Sequence, residues 1–151
     1  MPVRDARPDE IDALAAAVAP QPLLQRYQVD IPKMALALHD AQKNGQLVVA
    51  EDEGRALGFA WFLPTGTFGN GGYLRLIALC PGHEGRGLGA ALLDEVERRV
   101  APRPLFLLVS HWNQGARRFY AARGYREVGT LPAFMRADTD EIICVKKPLT
   151  S

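Results

Sequence analysis

The chain has 151 residues and lacks several features that would send its function elsewhere. Cysteine is scarce: Cys80 and Cys144 are the two in the sequence, they have no CxxC spacing, and both read as small core residues. No charge dominates. With 18 Lys and Arg against 17 Asp and Glu, the net charge of +1 gives no electrostatic case for nucleic acid or a membrane surface as partner. No apolar run approaches membrane-spanning length, and Asp5, Asp9, Glu10 and Asp12 stand where a signal peptide would carry its apolar core. A cytoplasmic protein is the expectation. His39 and His83 have no companions at metal-ligand spacing, so no metal is assigned. Repeats, low-complexity tracts and linkers are missing too. With 48% hydrophobic residues, the sequence is read as one domain over residues 1–151.

Two phosphate-binding patterns fail as well. No GxxxxGK followed by Ser or Thr occurs. A loose dinucleotide fingerprint would accept Gly85, Gly87 and Ala90, but the next apolar strand ends in Ser110 and His111 rather than in an acid for a ribose.

What the sequence does have is concentrated between Leu74 and Leu93, LRLIALCPGHEGRGLGAALL. Leu74, Leu76, Ile77, Ala78 and Leu79 read as a strand covered on both faces in a partly parallel sheet. Pro81 and Gly82 end it. Gly85, Gly87 and Gly89 then alternate with Arg86 and Leu88, a pattern that lets backbone approach a ligand and lets successive N–H groups converge on an anion. The turn opens a helix, whose dipole favours a phosphate or pyrophosphate at that end. The bland reading is a turn that only lets a helix pack closely on a sheet.

In chain order, residues 2–5 suit a first strand, and Ile11, Leu14, Ala15 and Val18 mark a helix that stops before Pro20 and Pro22. Residues 23–27 suit a short helix. Asp30 caps another with Pro32 in its first turn and Ile31, Met34, Ala35, Leu38 and Ala41 on one face, closed by Asn44-Gly45. Residues 46–50 and 57–63 read as a hairpin around a charged turn, and residues 64–72 as a flexible glycine-rich connection anchored by Phe68. After the central turn, Leu88, Leu92, Val96 and Val100 share an apolar face. Residues 105–109 form the next buried strand, parallel to the first across a right-handed crossover. Asn113 caps a helix bearing Ala116, Phe119 and Tyr120, Gly124 stops it, and residues 125–131 and 141–146 read as closing strands.

The segment NQGARRFYAARGY, with Asn113, Ala116, Tyr120, Gly124 and Tyr125, resembles, together with the turn from Leu79 to Gly89, the GNAT superfamily of N-acetyltransferases. The order of elements matches over nearly the whole chain. The resemblance implies an α/β fold with a mixed, mostly antiparallel central sheet, a parallel splayed strand pair around Leu79 and Leu108, and flanking helices. It implies acetyl-CoA as co-substrate, a primary amine of a small molecule or peptide as acceptor, and a homodimer as a common state. By the same resemblance, Ile77, Ala78 and Leu79 run alongside the pantetheine arm, and Gly85, Arg86, Gly87, Leu88, Gly89 and Ala90 hold the pyrophosphate. Asn113 and Phe119 lie near the pantetheine, and Tyr120 places its hydroxyl by the thioester sulfur.

Amide formation needs an uncharged amine, a donor for the developing oxyanion and a proton for the departing thiolate. Strand backbone near Leu79 offers the donor. Tyr120 offers the proton, because a phenol with a pKa of ~10 is matched to an alkyl thiol; the alternative for Tyr120 is packing on a helix face. Two departures from the family pattern stand out. Glu84 replaces a usual Arg or Gln at the loop entrance, and is expected to point into solvent. The central strand also has no carboxylate to serve as general base, leaving His111, Glu141, Asp138 or a water chain. Trp61, Phe62, Phe68 and Trp112 are candidates for an acceptor pocket or ordinary cover. The rival readings are a CoA-binding sensor or interaction module without catalysis, and a nucleotide-binding regulator.

Overall fold

A computed structural model describes residues 2–148. The elements in order are β1 (Val3–Asp5), α1 (Ile11–Val18), α2 (Pro22–Arg26), α3 (Ile31–Lys43), β2 (Leu47–Asp52), β3 (Arg55–Thr67), β4 (Gly71–Leu79), α4 (Leu88–Val100), β5 (Leu105–Ser110), α5 (Gln114–Ala122), β6 (Arg126–Arg136) and β7 (Thr139–Lys146). A single 3-10 turn at Pro8–Glu10 leads into α1. The strands form one seven-stranded sheet in the order β1-β2-β3-β4-β5-β7-β6. β4 and β5 are parallel, whereas β1 with β2, β2 with β3, β5 with β7 and β6 with β7 are antiparallel. Among the described residues no helix is long and apolar enough to cross a membrane.

The chain divides into two compact units. One takes the chain up to Phe62 together with Leu76–Arg99; the other takes Leu63–Arg75 and the chain from Val100 onward. In the first unit, helical spacing buries Ile11, Leu14, Ala15 and Val18 of α1 and Met34, Leu38 and Ala41 of α3 against Leu47 and Val49 of β2, Phe59 of β3 and Ala78 of β4. Leu88, Leu92, Leu93 and Val96 of α4 are fully buried as well. Arg99 ties this helix back to the start of the chain. It pairs with Glu95 one turn earlier at 2.8 Å and with Asp5 of β1.

In the second unit, β5 and β7 pair in unbroken register from Leu105↔Lys146 to Ser110↔Glu141. The parallel ladder pairs Gly72 with Leu105, Tyr73 with Phe106 and Leu74 with Leu107, and stops there, although β4 runs on to Leu79 and β5 to Ser110. β6 pairs with β7 through two irregularities, the larger lying between Leu131↔Glu141 and Arg136↔Thr139.

Three expectations are corrected by the structure. Residues 64–72 are not a flexible connection: β3 continues to Thr67, β4 starts at Gly71, and Phe68, Gly69 and Asn70 make the three-residue loop between them, the first two with φ of +55° and +69°. A Cβ on Gly71 would lie 2.7 Å from the Phe106 ring and one on Gly72 2.8 Å from Val100, so these glycines serve close packing within strands. Phe68 does not anchor the stretch, since it is 93% exposed, its ring set edge to face with that of Phe106 at a centroid separation of 6.3 Å. Ile31 leaves the buried face of α3 because it sits in the first turn, where the helix has not yet reached the core. β6 also extends five residues past the expected end, to Arg136.

The position of the β4 end depends on Gly58 in the first unit. A Cβ there would meet Leu79 Cδ2 at 2.7 Å and the Ala78 carbonyl oxygen at 2.9 Å. Gly58→Ala is therefore expected to cost about 1–3 kcal/mol of stability, read as a lower midpoint of urea denaturation with an unchanged slope.

Candidate active site

In the first unit the strand-to-helix turn is built as follows. Cys80 N–H donates to the Leu57 carbonyl at 2.8 Å, which fixes the residue after β4, and His83 N–H returns to the Cys80 carbonyl at 3.3 Å. The side-chain amide of Gln21, at the start of α2, donates to the Leu79 carbonyl. Gly82, Gly85 and Gly87 then take φ of +86°, +77° and +79°. A Cβ at any of these would meet nothing within 4 Å, so conformation rather than crowding is what demands glycine here. The first helical bond runs from Ala91 N–H to the Gly87 carbonyl at 3.0 Å. The N–H groups of Leu88, Gly89 and Ala90 therefore precede the intrahelical ladder. Leu88, buried in the core, pins this first turn while the backbone around Gly85 stays exposed.

The charged side chains at the turn have protein partners of their own. Arg86 donates to Asp52 at the end of β2 at 3.1 Å and to His83 Nδ1 at 3.0 Å, so its guanidinium already has two protein partners. Glu84 is exposed, but its carboxylate does more than face solvent: it accepts the Gly82 N–H at 3.1 Å and uses one donor of the turn. Of the strand residues, Ala78 is buried and Ile77 and Leu79 are half-buried.

In the second unit, Asn113 Oδ1 accepts the Ala116 N–H at 3.1 Å and caps α5. At the far end Gly124 takes φ of +92°, and the Tyr125 N–H closes on the Tyr120 carbonyl at 3.0 Å. This C-cap stacks three rings. Phe119 and Tyr120 meet edge to face at 5.1 Å, and Tyr120 and the buried Tyr125 at 5.5 Å, so the phenol of Tyr120 is held on both sides. Burial pushes the Tyr120 phenol well above its ordinary range, with Cys144 adding to the shift. Burial, and then the Glu127 carboxylate, push the Cys144 thiol up to about 11 against the opposing charge of Arg117. Arg117 clasps Glu127 with two bonds of 2.9 Å and reaches the His111 carbonyl at 2.9 Å, which seats α5 on β6 and the end of β5. The arrangement presents a rigid O–H donor that stays protonated at any ordinary pH.

The three base candidates have different surroundings. Asp138 is paired with Arg136 at 3.1 Å in the β6–β7 turn. His111 receives the Asp140 N–H on Nδ1 at 3.1 Å, so we assign its ring proton to Nε2 and its outward nitrogen as a donor. Glu141 is 3% exposed. Of the aromatic residues weighed for an acceptor pocket, Phe62 is core, Trp61 packs half-buried against core, Phe68 is exposed, and Trp112 donates from Nε1 to Thr139 Oγ1 at 3.4 Å. Sequence reasoning missed Gln21 and Asp52. Gln21 and Asp52 act through contacts 58 and 34 residues away, which leave no local pattern.

Known proteins resemble this chain in sequence and in fold. The family model described as the GNAT acetyltransferase family matches residues 12–125. An uncharacterized N-acetyltransferase of Mycobacterium tuberculosis is 29% identical over 136 residues, 81% of this chain and 85% of that protein. A GNAT-family acetyltransferase structure from Bacillus cereus superposes with a TM-score of 0.81 at 19% identity, covering 99% of this chain and 98% of that one. The PaiA N-acetyltransferase of Thermoplasma acidophilum, solved in complex with coenzyme A, gives a TM-score of 0.77 at 16% identity, with 97% and 98% covered.

Since Gly87 sits in the left-handed region with open space around it, Gly87→Ala is expected to lose about 1–2 kcal/mol through backbone strain alone. Thermal denaturation of the variant beside the parent checks this, with near-ultraviolet circular dichroism showing that the tertiary packing is retained.

Proposed function

The chain belongs to the GNAT acetyltransferase family, and on that footing we propose that it moves an acetyl group from acetyl-CoA to a primary amine of a small molecule or peptide by direct attack in a ternary complex. The observation that carries the reading is the positive-φ glycine turn, which opens directly into the unsatisfied first-turn amides of α4. Such a turn fits a pyrophosphate in both shape and sign. In this reading Gly85, Gly87, Leu88, Gly89 and Ala90 hold the cofactor phosphates through backbone N–H groups. Arg86 contributes there only after leaving Asp52. Ile77, Ala78 and Leu79 line the pantetheine arm, and Asn113 and Phe119 contribute to the same part of the co-substrate. Acetyl-CoA supplies the activated acyl group when bound; the protein's work is to orient it, donate to the developing oxyanion from strand backbone near Leu79, and manage protons.

Tyr120 is the proposed proton donor to the departing thiolate. Its raised phenol pKa makes it a weaker acid than free tyrosine, so a thiolate left in water would not take its proton readily. A thiolate that is itself desolvated is a stronger base, and burial shifts both partners in the same direction. The rings of Phe119 and Tyr125 fix the direction of the donor. A CoA-binding module without turnover is the second reading. It is favoured by Glu84 on the Gly82 N–H, since a carboxylate at the turn opposes the charge of a pyrophosphate.

The reading is tested by calorimetric titration with acetyl-CoA, desulfo-CoA and ATP, followed by thiol release with pooled primary amines. Binding of the CoA compounds with amine-dependent release supports the enzyme, binding without release supports the sensor, and affinity for ATP alone removes both. Tyr120→Phe is expected to lower kcat about 100-fold or more while acetyl-CoA affinity changes less than about twofold. Because burial moves the phenol upward, the folded protein keeps Tyr120 protonated through its ordinary range and loses it only at still higher pH. The parent rate profile should therefore show no alkaline fall from this group below about pH 10.

A further inference from the structure

Leu79 ends β4, and two contacts fix the direction in which its backbone groups face. Across a trans peptide, a carbonyl and the N–H that follows it point opposite ways. The Cys80 N–H donates to the Leu57 carbonyl of β3 at 2.8 Å, so the Leu79 carbonyl points away from β3. On the preceding peptide, the Ala78 carbonyl oxygen lies 2.9 Å from where a Cβ on Gly58 of β3 would stand, so the Leu79 N–H points away from β3 too. Both groups of Leu79 therefore face the edge opposite β3, and the parallel ladder along β4 pairs no residue past Leu74.

At that edge the side-chain amide of Gln21 holds the Leu79 carbonyl. The backbone of Gln21 is itself secured on both sides. Its N–H donates to the Val18 carbonyl at 3.0 Å, and its own carbonyl accepts the Gln25 N–H at 3.0 Å. The Gln25 side chain then reaches back to the Ala19 carbonyl at 2.7 Å and on to the Val29 carbonyl at 3.2 Å, while Val18, Ala19 and Leu24 around it are buried. Gln21 stands at the N-cap of α2, yet its side chain makes no cap hydrogen bond there. A polar residue in that place commonly serves its own helix; this one serves a strand end 58 residues away.

We propose that Gln21 is a positioning residue for acetyl transfer: by holding the Leu79 carbonyl it fixes the angle of the Leu79 N–H, the backbone donor that meets the developing oxyanion. The inference rests on the acetyltransferase reading above and names, within it, the donor and the side chain that aims it. The peptide after Leu79 is gripped at both ends, its oxygen by Gln21 and its N–H by Leu57, and the peptide before it packs on Gly58. A donor aimed in advance stabilises charge without having to reorient as the charge develops, whereas a hydrogen bond swung off line weakens steeply. In this role Gln21 moves no proton and makes no covalent bond. A merely structural contact would tie the start of α2 to the strand, and its loss would show in stability alone.

The test uses the full chain and its Gln21→Ala and Gln21→Met forms, the second keeping the length of the side chain without its donor. Near-ultraviolet circular dichroism reports whether each is folded. Infrared difference spectra are taken of bound acetyl-CoA labelled with heavy carbon at the thioester carbonyl. Binding to the parent should lower the carbonyl stretch, as a donor on that oxygen does, and both variants should show a smaller lowering. This readout needs no acceptor. With a peptide bearing a free N-terminal alanine, N-α-acetyllysine and phenethylamine as probes, thiol release should give a kcat about 10- to 100-fold below the parent, while acetyl-CoA affinity by calorimetry stays within about twofold. Folded variants with the parent's kcat and the parent's carbonyl stretch overturn the positioning role. So does tighter acetyl-CoA binding at undiminished kcat, which would make Gln21 a competitor for the Leu79 carbonyl, and so does turnover that falls only with the folded fraction. In each of these cases parent turnover leaves the acetyltransferase reading standing. No turnover by the parent with any probe, together with no shift of the carbonyl on binding, removes that reading and the donor with it.

Discussion

An α-helix starts with N–H groups that no preceding turn can satisfy, and at α4 this ordinary deficit determines how the surrounding chain is built. To aim these donors outward, the backbone must turn from the direction of β4 into that of α4 within eight residues, between Leu79 and Leu88. That reversal is possible because Gly85 and Gly87 occupy a region that other L-residues avoid. The flanks are then fixed firmly: Leu88 by burial, Cys80 by the Leu57 carbonyl, and the end of β4 by the backbone approach at Gly58 and the amide of Gln21. The core of α1, α3, β2 and β3 serves as the rigid support on which the turn is carried.

Much of this was legible before any coordinate. The caps Asp30 and Asn113 and the stop at Gly124 are local chemistry, and each does in the structure what its residue type implies. The apolar face of α4 follows from its period. Legibility ended where the reason for a residue lies across space. Gly71 and Gly72 look like a flexible linker until Phe106 and Val100 are seen against them. Glu141 reads as a solvated strand residue because burial of an acid leaves no periodic signature. The role proposed for Tyr120 rests on a family resemblance and that of the glycine turn on its residues as well, whereas the engagement of Arg86 by Asp52 needed the structure.

Two tyrosines show how one fold gives one chemical group two settings. Both phenols are raised first by burial, but the charges around them differ: Cys144 adds to the rise at Tyr120, whereas at Tyr73 Arg75 opposes it and Glu141 adds to it. Near a thiol that burial itself keeps neutral, a phenol can do little but hold its proton and donate a hydrogen bond. The sheet register separates these settings along β7, with Cys144 and Glu141 three residues apart and therefore on opposite faces.

β6 is one of the two outer strands of the sheet, and an outer strand offers its open row of donors and acceptors to any other chain. Here the second half of that row is spoiled. Pro132 has no N–H to give, Ala133 turns its backbone to φ of +48° with its N–H held by Asp140, and the ladder against β7 jumps from Leu131 to Arg136. The bulge that carries Phe134 and Met135 into solvent thus also acts as a guard against sheet extension. A second copy adding a strand at this edge would have only the six residues Arg126–Leu131 to pair with, so assembly through this side would have to rely on side chains instead of backbone.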